Sequence, residues 1–358
     1  GVAETEAATA SAVVQKELPE FVEKLQIPMN KQAGNDLPVS AFKDYVDGVS
    51  PAGTSAYEKR GIALNVPEWQ VDNCIQCNQC SFACPHAAIR PFLLTEEEVQ
   101  KAPESLSTKK AVGKGLSDYN FKIQVSTLDC TGCGVCAEVC PAKEKALVMK
   151  PLDTQEVEIA NWNYITEKVP YRDNLVSKDT VKGSQFCQPY LEFSGACAGC
   201  GETPYAKVVT QLFGDRMLIA NATGCSSIWG GSAPSNPYTT NAEGRGPAWA
   251  NSLFEDNAEY GYGMAVASKK LRNTIKNYLE EMMAEDESIK EAGKAWIDTM
   301  EDGEASKETS SKLVKALEGY KGDKDKVQFI LNNKDQLVKK SVWIFGGDGW
   351  AYDIGYGG

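Results

Sequence analysis

Ten of the twelve cysteines fall into three tight groups with two-residue gaps inside them. That is the spacing of metal ligands, whereas a disulfide framework belongs to a short secreted chain with cysteines spread along it. Cys74, Cys77, Cys80 and Cys84, followed by Pro85, fit C-x2-C-x2-C-x3-C-P, and Cys130, Cys133, Cys136 and Cys140, followed by Pro141, repeat it. A run of this form ligates [4Fe–4S] cubanes, its fourth cysteine serving the other cluster. Three thiolates at two-residue gaps wrap three corners of a cubane from one loop. The fourth, on the helical turn that follows, points away toward the neighbouring cluster. The expected ligand sets are therefore Cys74, Cys77, Cys80 with Cys140, and Cys130, Cys133, Cys136 with Cys84. Gly132 and Gly134 allow backbone amides to approach the sulfides closely. Zinc also binds paired C-x2-C knuckles, but two faithful runs of four favour clusters.

A further C-x2-C stands at Cys197 and Cys200, beside Glu202, and Cys225 follows within Ala222-Thr223-Gly224-Cys225. Three cysteines fill neither a cubane nor a closed zinc site. Either Cys187 supplies the fourth ligand or it lies beyond Gly358. A lone C-x2-C suits zinc or a redox pair as well as a cluster, and the two complete runs tip the balance to a cluster. Cys187 by default is a buried structural cysteine. Near the end, Gly346-Gly347-Asp348-Gly349 follows the apolar run 342–345. A strand ending in Gly-Asp-Gly sets one carboxylate, a hard ligand for Mg²⁺, beside backbone that can approach a diphosphate. The same run opens the thiamine diphosphate motif, whose closing Asn would lie past Gly358, but a turn after any strand can look like this and Gly-Asp-Gly alone does not decide between them.

His86 is the only histidine. That excludes a His-rich zinc or di-iron site and removes the usual acid–base residue at neutral pH, so cofactors must carry the chemistry. The clustered thiols imply a reducing setting, cytoplasmic or a reducing organelle of an anaerobe. The 358 residues suffice for two or three domains. A formal charge of -12 weighs against nucleic acid as a partner, and no run of about 18 apolar residues suggests a membrane span. Gly1-Val2-Ala3 is neither an initiator Met nor a signal pattern, and the chain stops just after a strand-like run. Both ends look cut, as in a piece of a longer polypeptide.

Elements must position these groups. Residues 1–60 form a connecting segment with a weak helix pattern over 13–25. A possible strand over 62–66 leads into the first cysteine run. Thr95 with Glu98 three residues on matches a capping box. Lys109, Lys110, Gly113, Lys114 and Gly115 make a basic loop, read as solvated in preference to a docking patch for an acidic electron carrier. Residues 121–125 alternate as a strand into the second run, and the 46 positions from Cys84 to Cys130 imply an insertion. The expected two-cluster domain spans 61–150, with a linker over 151–190. After that, strand–loop–helix texture predicts an α/β sheet domain over 191–358: a helix begun by Thr203-Pro204, strands over 217–220 and 342–345, and between them a charge-rich helical stretch of surface character from 264 to 340.

Taken together, these residues resemble the pyruvate:ferredoxin (flavodoxin) oxidoreductases. The match runs through YEKRGIA over 57–63, both cysteine runs, EFSGACAGCGETPY over 192–205, NATGCSSIW over 221–229, GRGPAWANSLFEDN over 244–257 and GDGW over 347–350. The resemblance implies an α+β ferredoxin-like two-[4Fe–4S] domain followed by part of an α/β thiamine-diphosphate-binding domain. It implies three [4Fe–4S] clusters, thiamine diphosphate and Mg²⁺ as cofactors. Cys197, Cys200 and Cys225 would hold the cluster nearest thiamine, with the fourth cysteine outside this chain. Asp348 matches the Mg²⁺ ligand, flanked by Gly347 and Gly349, and Glu202 is expected near the cofactor pocket. The activity implied is oxidative decarboxylation of pyruvate with CoA to acetyl-CoA and CO₂. Electrons would pass to ferredoxin or flavodoxin, in a full-length enzyme expected to be a homodimer. The family's pyrimidine-binding domain, its activating glutamate and its CoA-contacting domain have no counterpart here, so this piece is expected to be inactive alone. A sister 2-oxoacid oxidoreductase and a plain iron–sulfur electron-transfer module are the alternatives; an iron count and retention of thiamine diphosphate separate them.

Overall fold

The computed structural model describes residues 18–232, 234–347 and 349–350. Contacts divide the chain into two compact units. The first comprises residues up to Leu212 together with Ile228–Glu243, and the second Phe213–Ser227 and Gly244 onward.

Five strands lie in the first unit: β1 (Asn65–Trp69), β2 (Ile89–Leu94), β3 (Lys109–Lys110), β4 (Asn120–Val125) and β5 (Leu147–Pro151). β1 and β5 form an antiparallel pair with Val66 opposite Lys150, while β2, β4 and β3 make an antiparallel sheet in that order, Leu93 opposite Phe121. Alternation along β4 sends Phe121, Ile123 and Val125 into a core with Val66, Trp69, Ile89 and Leu93. The polar face of β4 is buried too. The helix Val157–Lys168 covers it, Glu158 accepting from Gln124 at 2.8 Å and lying 3.7 Å from the Lys122 ammonium. Phe92 and Leu94 of β2 meet Ile165 of that helix in a second apolar cluster. The stretch expected as a linker thus forms one layer of this unit. Its covering is why every residue of β2 and β4 is buried, where a one-sided antiparallel sheet would show half of them to water.

The capping box of Thr95 and Glu98 forms with both hydrogen bonds, at 2.8 and 3.3 Å, and starts the helix Glu96–Gln100. The first strand begins three residues later than expected, at Asn65. The expected basic loop opens with the two residues of β3 before turning. Of the weak helix pattern over 13–25, only residues from 18 onward are described; they are helical from residue 20.

The second unit holds a parallel sheet of β6 (Met217–Ala222), β7 (Ala248–Ser252) and β8 (Ser341–Phe345), ordered β7-β6-β8. The 29-residue helix Asn257–Glu285 crosses one face of it. The crossing is close because Gly261 has no side chain: a Cβ there would stand 2.4 Å from Ile344 Cγ1 and 3.3 Å from Ala220 Cβ. The charge-rich stretch is helical as expected but not merely superficial. Its helices enclose their own core of Ile275, Leu279, Met282, Trp296, Leu313 and Leu337, all fully buried.

Candidate metal centres

The two cysteine loops have one backbone design. The second residue after the first cysteine, and the fourth, have positive φ in both loops: Gln76 (60°) and Asn78 (62°) in one, Gly132 (69°) and Gly134 (76°) in the other. The turn aims the amide of the first such residue at the leading thiol, Gln76 N to Cys74 Sγ and Gly132 N to Cys130 Sγ, each 3.4 Å. Left-handed backbone costs a side chain about 1–2 kcal/mol. In the first loop buried side-chain amides offset that cost. Gln76 donates to the Lys110 carbonyl (2.7 Å) and accepts from Val112 N (2.8 Å), and Asn78 donates to the Lys182 carbonyl (2.9 Å).

These loops wall two cavities. The first, partly open to solvent, is lined by Cys74, Cys77, Cys80 and Cys140, between Trp69 and Leu147. The second, also partly open, is lined by Cys130, Cys133, Cys136 and Cys84, with His86 and Met149 at its wall. Each cavity draws three thiols from one run and the fourth from the other. Among the described residues no three Cys, His, Asp or Glu side chains converge as they would around one metal ion; the thiols stand around a space. Burial holds the Cys80 and Cys136 thiols far above their usual range, neighbouring cysteines adding to it, and burial pushes Cys130 up to about 12. As thiols these groups would sit protonated in apolar walls, and a positively charged metal core is what turns such groups into thiolates. The donor set, the apolar walls and the amide-to-sulfur contacts fit a [4Fe–4S] cubane at each cavity.

The third C-x2-C leans on the second loop. A Cβ on Gly199 (φ 74°) would meet Cys133 Cβ and Val135 Cγ2 at 3.8 Å. Next to it, His86 Nε2 lies 2.8 Å from the Ala196 carbonyl, so the proton is assigned to Nε2, which donates. Nδ1 faces Thr131 Oγ1 at 3.5 Å, and burial lowers the imidazole pKa, which favours the neutral ring. Cys197 and Cys200 belong to the first unit and Cys225 to the second. Glu202 accepts from Trp229 Nε1 at 3.3 Å. Cys187 is buried, lines neither cavity, and its thiol is pushed up to about 11 by burial. Asp348 lies outside the described residues. Its flanking backbone follows β8, and Cys225 follows β6. Because β6 and β8 run parallel, the two loops leave the same carboxyl edge, the edge at which open α/β sheets bind phosphate ligands.

Sequence reasoning gave two residues no place at this site. His86 entered it only as the lone histidine, although it directly follows Cys84-Pro85. Lys207 sits at a core position of the helix Thr203–Phe213, is 2% exposed, and donates to the carbonyls of Ser81, Phe82 (3.1 Å) and Cys84 (3.0 Å). Burial brings its ammonium down to about 8, with Cys84 acting in the opposite direction.

Residues 73–143 match a family model described as a 4Fe-4S double cluster binding domain, and residues 7–63 match one described as a domain of unknown function, EKR. Among curated proteins, the chain is 56% identical to the pyruvate:ferredoxin oxidoreductase of Moorella thermoacetica and 54% identical to the pyruvate-flavodoxin oxidoreductase of Enterobacter agglomerans, over 98% and 97% of its length. It covers 30% of each of those proteins. It is also 49% identical to the mitochondrial pyruvate dehydrogenase [NADP(+)] of Euglena gracilis, over 95% of its length and 19% of that protein. The chain thus spans about 30% of the first two relatives, and nearly its whole length aligns with one stretch of each.

Proposed function

We propose that this chain is the electron-exporting part of an enzyme that oxidises pyruvate with CoA to acetyl-CoA and CO₂. The observation that carries the reading is the pair of four-cysteine cavities with exchanged fourth walls. Cys74, Cys77, Cys80 and Cys140 would hold one [4Fe–4S] cluster, and Cys130, Cys133, Cys136 and Cys84 the other. Cys197, Cys200 and Cys225 would hold part of a third. When bound, such clusters supply one-electron transfer. The chain's own residues supply thiolates, amides turned toward sulfur by left-handed backbone, and apolar walls that limit water.

Thiamine diphosphate with Mg²⁺ would bind at the carboxyl edge of the parallel sheet, with Asp348 of the Gly347–Gly349 run as the metal ligand, and Glu202 is a further candidate for cofactor contact. The two named relatives support ferredoxin or flavodoxin as acceptor. A surface around the first cavity suits an acidic carrier. Ile75 and Val112 are exposed there, and Lys109, Lys110, Lys114 and Lys182 belong to the segments that brace the loop.

Iron analysis and cofactor extraction of the purified enzyme test the reading. About twelve irons per chain with bound thiamine diphosphate are expected. Eight irons without thiamine diphosphate would leave only an electron-transfer module. A colourless protein containing zinc would overturn the assignment altogether.

A further inference from the structure

Lys207 is a buried cation that no carboxylate among the described residues pairs with. Its ammonium is instead enclosed by the carbonyls of Ser81, Phe82 and Cys84. An isolated ammonium taken out of water is expensive, and carbonyl dipoles compensate it only in part. The segment it grips carries a ligand for each cavity, as the Cys136–Cys140 segment of the other run also does: Cys80 faces the first and Cys84 the second. A cluster held by four thiolates has net negative charge, which grows by one on reduction. A fixed positive charge between two such groups therefore stabilises the reduced form of both, most strongly the one whose ligand it touches.

We propose that Lys207 is a shared counter-charge that raises the reduction potentials of both ferredoxin-type clusters, more at the Cys84 site than at the Cys80 site. This rests on the reading that the two cavities hold clusters. Its position explains the choice of lysine. The helix Thr203–Phe213 follows directly on Cys197–Cys200, so one rigid element anchors the third C-x2-C and delivers the charge to the junction of the other two sites. A compact ammonium on a long stem can reach three carbonyls at once from a helix core position.

The test is an EPR-monitored redox titration of the complete, cluster-bearing protein as wild type, Lys207→Met, Lys207→Gln and Lys207→Arg. At the wild-type midpoint the ratio of reduced to oxidised cluster is even. In the Met and Gln variants that ratio is expected to fall about tenfold at the Cys84 site, equivalent to about 59 mV for one electron, and less at the Cys80 site with the same sign. Lys207→Arg should stay within about twofold of wild type at both. Unchanged ratios in neutral variants that keep their iron would overturn the proposal, as would a shift in Lys207→Arg equal to that in Lys207→Met. If the neutral variants lose iron, the lysine is a structural brace and the tuning role is wrong. Absence of eight irons from the wild-type ferredoxin region would instead sink the cavity assignment itself.

Discussion

At Gln76 and Asn78 the first cysteine loop achieves with hydrogen-bonded side chains what the second achieves with Gly132 and Gly134. The same strained turn is needed in both, because only that turn aims the amide at the leading sulfur. Gly132 leaves least room: a Cβ there would stand 2.9 Å from the Asn65 carbonyl. Gly132→Ala is therefore expected to weaken the second site by about 1–2 kcal/mol from backbone strain alone, and by more from the contact. Faster bleaching of the visible absorbance under a chelator checks it, and a wild-type bleaching rate would refute it. The exchanged ligands make a sharper residue-level prediction. Cys140→Ala should remove the same EPR signal as Cys80→Ala, although the two residues belong to different runs, and Cys84→Ala should remove the other signal. Each would cost about four irons. If Cys140→Ala instead spared the signal lost in Cys80→Ala, the crossed arrangement would fall.

The elements that frame the sites were unevenly legible in the sequence, and the reasons are physical. β4 announced itself through the alternation Phe121-Lys122-Ile123-Gln124-Val125, even though both of its faces are covered. β2 did not, because Arg90 and Pro91 interrupt its apolar residues; Pro91 is tolerated because β2 is an edge strand. β7 runs Ala-Trp-Ala-Asn-Ser, without a β-branched residue to mark it. The helix Val157–Lys168 was hidden among asparagines, two of which, Asn161 and Asn163, lie within it; its apolar contacts reduce largely to Trp162 and Ile165. Cysteine spacing, by contrast, anticipated which thiols share a cavity, since ligand geometry is written in local gaps. The buried charge of Lys207 could not be read from spacing: it depends on a helix more than a hundred residues from the carbonyls it meets. An element-level prediction concerns the helix Ala305–Gly319. Asp302 accepts from Ala305 N and Glu304 N at 2.8 Å, and these bonds, in that order, hold its carboxyl below the ordinary range. A folded-state pKa below the unfolded one gives stability that is present above about pH 3.9 and lost as pH falls through the folded value. Asp302→Ala should therefore lower the thermal midpoint at neutral pH, and its difference from wild type should shrink in acid. An equal difference at every pH would exclude this role.

At the scale of the whole molecule, the sign of the charge sets a problem for electron export. The 358 residues carry a formal -12, so on the function proposed above an acidic carrier docking on them would meet net repulsion at long range. On that proposal docking would rely on a local reversal of potential, and the basic loop read from the sequence as solvated is the candidate for it. Lys109 is committed to structure, its ammonium bound to the carbonyls of Val71 (2.8 Å) and Cys74 (3.0 Å). Lys182 likewise braces the Val112 carbonyl at 2.6 Å. Lys110 and Lys114 are exposed, Lys110 having only a loose contact with Glu96 at 3.8 Å. These two can therefore be changed without dismantling the loop, and they are the charges a carrier would meet. Lys110→Glu combined with Lys114→Glu should slow reduction of an acidic ferredoxin at low ionic strength several-fold, through association rather than through the internal steps. Because the Debye length shrinks to about 3 Å near 1 M salt, the difference from wild type should fade as salt is added, while cluster EPR signals and iron content stay as they are. Stopped-flow reduction across a salt series decides it. A defect that persists at high salt would mean that the substitutions damage the loop, and no defect at low salt would move the docking surface elsewhere on the molecule.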